Sequence, residues 1–78
     1  MITYDEVMNK KNELKNCLVE NFELLGTKCY VDLINDLEEI VYDMRLDKFS
    51  YTDAMNKLID FEEELNKILE ELKAGLGI

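Results

Sequence analysis

From Ala54 the apolar residues recur at Leu58, Phe61, Leu65, Ile68 and Leu72, in alternating steps of four and three with no slip. Steps of this kind keep the side chains on one stripe of an α-helix and average the 3.5-residue repeat of helices that pack along their length. Met55 and Leu69 lie beside the stripe. At about 1.5 Å per residue the helix is about 36 Å long, so it sets the long dimension of whatever 78 residues can build. Its stripe has to be covered, either by other helices of the chain or by a second copy. The remainder of the sequence offers helices for this. It has no proline and only three glycines, Gly26, Gly75 and Gly77, so long stretches are free of residues that break a helix.

The ends of the helices are written in local chemistry. Ser50 is placed as a hydroxyl N-cap with Asp53 at the third helical position, and Phe49 can staple onto Ala54. Lys73 and Gly75 mark the close, with Leu76 placed for the apolar contact of a Schellman turn. Near the start, TYDEVMNK (Thr3–Lys10) repeats the design of SYTDAMNK (Ser50–Lys57). Thr3 caps, Glu6 stands at the third position, and Ile2 can staple onto Val7. The likeness ends at Lys10 and Lys57, as expected of two helix starts and not of a duplication. The first helix then carries Tyr4, Val7, Met8, Leu14, Leu18, Phe22 and Leu25, flanked by Cys17 and Leu24, and stops at Gly26. Asn9, Lys10, Lys11, Asn12 and Glu13 interrupt its stripe; the stem of Lys11 can cover core while its ammonium reaches water. A middle helix carries Tyr30, Leu33, Leu37, Ile40 and Met44, widened by Ile34 and Val41. The segment Leu46 to Phe49 breaks that pattern.

Short connections make neighbouring helices antiparallel. The predicted fold is all-α: an antiparallel up-down-up three-helix bundle with helices at about 4–25, 28–46 and 51–74, forming one domain over 1–78. The first and third helices then run the same way and bring Tyr4 and Tyr51 to one common end. The alternative is a homodimer through the 54–72 heptad seam.

Eighteen acidic residues against nine basic ones give a net charge of −9. Direct binding to nucleic acid is opposed, because that affinity comes from Lys and Arg neutralising phosphates; anionic membranes are opposed for the same reason. No apolar run approaches the roughly 20 residues of a membrane span, and the first residues lack the layout of a signal peptide, so a cytoplasmic setting is expected. Across a hairpin bent at Gly26, Cys17 and Cys29 fall roughly 9 Å apart along the axis, too far for a disulfide. They read as free thiols.

Carboxylates are the abundant reactive groups: Glu62, Glu63 and Glu64 in one run, Glu70 and Glu71 a heptad later, and Asp36, Glu38, Glu39 and Asp43 in the middle helix. A di-iron bundle site takes Glu-x-x-His pairs, and the chain has no histidine. A magnesium site of Asp and Glu alone, as in helical nucleotide pyrophosphohydrolases, would need acids on the core side. Asp60, Glu63 and Glu70 point away from the seam, as a solvated face does. Without histidine there is no Ser–His or Cys–His pair, and no glycine-rich phosphate loop is present. Neither an enzyme activity nor a cofactor or metal is expected.

Val19, Val31, Tyr42, Leu46 and Ile59 fall off the main stripes. Tyr42, among Glu38, Glu39, Asp43 and Arg45, is the strongest contact candidate, since tyrosine is enriched where partners bind. With it, Glu38, Glu39, Asp43, Asp60, Glu63, Glu64, Glu70 and Glu71 make the expected partner-binding set, an acidic footprint for a larger protein with a basic surface. The tail Leu76-Gly77-Ile78 either folds back or docks on something else.

From Leu37, the run LEEIVYDMRLDKFSYTDAM resembles the small subunit of exonuclease VII, an acidic helical hairpin. The resemblance covers about a quarter of the chain. This chain adds a helix before it, and Leu46-Asp47-Lys48 stands where that family turns on a glycine. The shared pattern is that of any amphipathic hairpin, and we read it as convergence. It implies, as an alternative function, a self-associating structural bundle or an accessory subunit of an enzyme. The leading expectation is a small acidic inhibitor or regulator that occupies a basic, nucleic-acid-binding type of surface. Proteins of this profile are common in phages and mobile elements, anti-CRISPR proteins among them.

Overall fold

The computed structural model describes residues 1–77. Its order is α1 (Tyr4–Glu20), α2 (Phe22–Leu25), α3 (Thr27–Arg45) and α4 (Tyr51–Gly75), with no strand among the described residues. The chain is all-α, and the four helices pack on one another. None of them is long and apolar enough to cross a membrane.

Both predicted starts hold at the atomic level. The Thr3 hydroxyl accepts the amide of Glu6 at 3.2 Å, and the Ser50 hydroxyl accepts that of Asp53 at 3.1 Å. Ile2 and Phe49, the residues before the two caps, pack against the core that holds Val7 and Ala54. Each cap satisfies an amide that has no partner within the helix, an effect of about 1 kcal/mol.

The first helix differs from its predicted span of 4–25. It breaks at Asn21, whose side-chain amide donates to the Cys17 carbonyl at 2.8 Å and whose backbone leaves the helical region (φ −105°, ψ 16°). An amide side chain that competes for the i−4 carbonyl bends a helix in this way. The turn α2 follows, and the chain reverses at Gly26, where φ 84° and ψ 158° lie in a region essentially reserved for glycine. At the other end, Gly75 is still helical and Gly77 is the residue with positive φ (75°). Leu76 is exposed, so the expected apolar close is absent; Ile78 of the predicted tail lies outside the described residues.

The turn after α3 contains no glycine, yet it is a Schellman close. The amide of Asp47 donates to the Met44 carbonyl at 3.0 Å and that of Lys48 to the Asp43 carbonyl at 3.1 Å. Asp47 adopts the left-handed conformation (φ 59°) that glycine usually supplies there, and aspartate is among the residues that tolerate it. An ion pair, Lys48 Nζ to Asp43 Oδ1 at 3.2 Å, stands where an apolar contact is customary.

The core consists of Val7, Leu14 and Leu18 from α1, Leu25 from α2, Leu37, Val41 and Met44 from α3, and Ala54, Leu58, Leu65 and Leu69 from α4. The seam of α4 is thus covered by the chain's own helices, and pairing of two copies through it would have to displace one of them. Its deepest line has rotated slightly from the predicted stripe. Leu69 is buried, while Phe61, Ile68 and Leu72 are half-buried. Tyr4 and Phe22, expected on the stripe of the first helix, are exposed at 37% and 40%.

Gly26 has open space where a Cβ would go, so replacing it tests the backbone alone. Gly26→Ala is expected to lower unfolding free energy by about 1–3 kcal/mol, read as a lower urea midpoint with an unchanged slope. An unchanged midpoint would mean that the turn is not held in this conformation.

Candidate functional site

The polar interruption of α1 is the first determinant of the surface. Val7, Lys11, Leu14 and Leu18 form the buried line of α1 at steps of four, three and four. Lys11 therefore occupies a core position, and only 9% of it is exposed. Its ammonium reaches Glu38 of α3 at 3.0 Å. Lys10, more than a quarter of a turn around the helix, reaches the other way and donates to both oxygens of Glu62 on α4 at 2.9 Å. The expected escape of Lys11 to water is replaced by an ion pair at the edge of the α1–α3 contact. Glu38, one of the predicted partner-binding residues, is engaged inside the chain. So in part is Asp43, through Lys48.

The Lys10 ammonium is held above the usual lysine range, chiefly by its hydrogen bonds to Glu62, with the negative charges of Glu62 and Glu13 adding and burial opposing.

These contacts orient the remaining acids. Lys10 shows that Glu62 is on the α1 side of α4. On α3, Asp36, Glu39, Ile40 and Asp43 share a side at steps of three, one and three, and with Phe49 and Lys57 they line a groove of about 270 Å³ between α3 and α4. Lys57 marks the α3 side of α4, and Asp60, Glu64 and Glu71 follow it at steps of three, four and seven, which keep one helix side. Five predicted residues, Glu39, Asp43, Asp60, Glu64 and Glu71, thus fall along the α3–α4 side. Glu63 and Glu70 do not: they lie with exposed Ile59 at steps of four and seven, farther round α4 beyond Glu62. Tyr42 is on the outer side of α3, 61% exposed.

Four groove residues, Asp36, Ile40, Phe49 and Lys57, lie outside the expected partner-binding set. Asp36 was visible, one turn before Glu39 and Ile40 on the same side. In sequence terms Ile40 belongs to the apolar stripe of α3, Phe49 to the staple before α4 and Lys57 to the repeated octet. The Lys57 ammonium stands 5.2 Å from the centre of the Phe49 ring, a pairing across the α3–α4 turn that no spacing announces.

The predicted common end is also formed. Tyr4 and Tyr51 meet edge to face with ring centres 6.0 Å apart, and Arg45 Nε donates to the Tyr4 hydroxyl at 3.1 Å. The other predicted off-stripe residues, Val19, Val31, Leu46 and Ile59, are all exposed. Cys17 and Cys29 are free and half-buried; Cys29 borders a wide hollow beside Gly26. Among the described residues no three His, Cys, Asp or Glu side chains converge as metal donors.

Comparisons with protein-family models, with curated proteins and with solved structures give no match.

Two outcomes test the lysine pair. Glu38 is half in water and stays hydrated if its partner is lost, so Lys11→Met exchanges a buried cation for apolar packing of similar length. Its stability should stay level or rise by up to about 1 kcal/mol, whereas Lys11→Ala, which also loses the stem, should fall. A marked loss in Lys11→Met would mean that the ion pair itself holds α1 in place. The pH test follows from linkage. A lysine with a raised folded pKa adds stability that is complete below its ordinary value of 10.5 and is lost as pH climbs through the raised one. Urea midpoints should therefore decline above about pH 10.5, and Glu62→Gln should flatten that decline; an identical alkaline profile in the variant would remove Lys10–Glu62 as its cause.

Proposed function

We propose that this chain is a small acidic protein-binding module, an inhibitor or regulator that sits on a basic surface of a larger protein. The observation that carries this reading is the side formed by α3 and α4. Asp36, Glu39, Asp60, Glu64 and Glu71 lie along it, and none of them is in an ion pair. The ion pairs among the described residues engage only Glu13, Glu38, Asp43 and Glu62 of the acids. Lys57 and Lys67 are the cations on this side of α4, too few to balance it. Carboxylates left free along two neighbouring helices attract a basic surface from a distance and accelerate encounter. Such a surface includes one evolved to hold nucleic acid, whose phosphates the carboxylates would replace. The acidity of this helical domain fits the phage or mobile-element type of inhibitor, acting in a reducing cytoplasm.

In this reading the three long helices run up, down and up. Support comes from Tyr4, which touches both Tyr51 at the start of α4 and Arg45 at the end of α3. Seven residues along α1 and seven back along α3 lies the next contact, Lys11 with Glu38. That spacing supports an antiparallel pair, and Tyr4–Tyr51 followed by Lys10–Glu62 supports a common direction for α1 and α4.

The test is the salt and charge dependence of association with a partner captured from the native host and then purified. The association rate should fall steeply as ionic strength rises. It should fall further in the triple variant Asp60→Asn, Glu64→Gln, Glu71→Gln than in Glu63→Gln with Glu70→Gln. A captured partner that is acidic, or an association rate indifferent to salt, would sink the reading.

A further inference from the structure

The groove between α3 and the start of α4 differs from the rest of the acidic side in having an apolar floor and a cation already in it. Ile40 and Phe49 form the floor, and Asp36, Glu39 and Asp43 rise along the α3 wall. Asp43 is tied to Lys48, but Asp36 and Glu39 have no ion-pair partner among the described residues. From the α4 wall Lys57 leans over the Phe49 ring, its ammonium 5.2 Å from the ring centre and, among the described residues, in no ion pair. The chain thus places one of its own cations on an aromatic face beside two free carboxylates, on a long, unbranched and rotatable stem.

We propose that this groove is the point at which the module grips its basic partner, and that it takes an arginine side chain; the proposal rests on the protein-binding reading above. Charge complementarity selects a cation, and the floor selects its shape. A planar guanidinium can lie on the Phe49 ring in place of the Lys57 ammonium while its edge donates a forked pair of hydrogen bonds to Glu39 or Asp36. A volume of about 270 Å³ accommodates one such side chain with its aliphatic stem against Ile40. Lysine satisfies the charge but offers neither the planar stack nor the fork, so arginine is preferred. Lys57 holds the aromatic face until the guanidinium arrives and swings out to solvent when it does.

The experiment is an amide-resolved NMR titration of the whole protein at low ionic strength with a blocked hexa-arginine peptide and, separately, a blocked hexa-lysine peptide. The largest shifts should fall on Ile40, Asp43, Phe49 and Lys57, with hexa-arginine the tighter ligand. Glu39→Gln and Phe49→Leu should each weaken hexa-arginine by about 2- to 10-fold, and Glu63→Gln with Glu70→Gln by less than about 2-fold. Glu39 is exposed, so its variant keeps the test decisive even if Phe49→Leu fails to fold. Shifts spread evenly over all acidic sides, or equal weakening by the groove and the Glu63/Glu70 variants, would overturn the groove while leaving the acidic-surface reading intact. Binding of neither peptide would overturn both.

Discussion

A lysine at a core position governs how this protein is put together. Lys11 follows Val7 and precedes Leu14 on the buried line of α1, so its stem must enter the core and its charge must find a way out. The way out lies between α1 and α3, where Glu38 stands. Lys10, on the adjoining side of the same helix, is met by Glu62 of α4. Two neighbouring lysines bound to two different helices favour one rotation and one register of α1. An apolar residue at position 11 would pack at least as well, but it would permit neighbouring registers, since α3 and α4 both present continuous apolar lines. What the pair contributes is definition of a single arrangement, the best-attested use of buried charge.

The turns carry that definition to the groove between α3 and α4. Asp47 closes α3 in a left-handed conformation without glycine, and Lys48 bonds back to Asp43. This tight reversal sets Phe49 beside the last two turns of α3. It starts α4 at Ser50, so that Lys57 falls two turns on, over the Phe49 ring. A looser turn would separate Phe49 from Ile40 and Asp43, and the groove would open into a featureless crease. At the opposite end Asn21 and Gly26 have a different task. By bending the chain before the reversal they let Leu25 enter the core while Phe22 turns outward against Tyr30, ring centres 4.8 Å apart.

What was legible in the sequence was whatever is decided within a few residues. The caps at Thr3 and Ser50, the reversal at Gly26 and the apolar lines of all three long helices could be read because each depends on neighbours along the chain. Asn21 could not, because an asparagine within an apolar stripe bends a helix only if its amide captures the i−4 carbonyl rather than solvent. The C-terminal close was misread at Gly75 because Gly77 offers the same freedom two residues later, and nothing local distinguishes them. The site was half legible. All of its acids but Asp43 are exposed, as their positions off the stripes required. Which of them act together depends on the side of α4 that faces α3, and that is decided by Lys10 and Glu62, fifty-two positions apart.

The distribution of charge supports the proposed role of the acidity beyond solubility. A chain that needed only to stay dispersed would gain by spreading its carboxylates, because like charges on neighbouring turns repel and weaken the fold. Here the α1–α3 side is nearly free of them. On α1 the residues following Tyr4 on that side are Met8, Lys15 and Val19, and on α3 those preceding Arg45 are Tyr42, Glu38, Ile34 and Val31. Glu38, the acid among them, is neutralised by Lys11. Tyr42, Val19 and Val31 are exposed there instead. The molecule is therefore two-sided: an apolar, locally neutral flank on one side of α3 and an uncompensated row of carboxylates on the other. Concentration of like charge costs stability, and apolar groups left exposed add none, in a domain this small, where the core supplies only about 3–5 kcal/mol in total. We read a chain that keeps both, on opposite flanks of one helix, as support for the proposed approach of a basic partner from the α3 side.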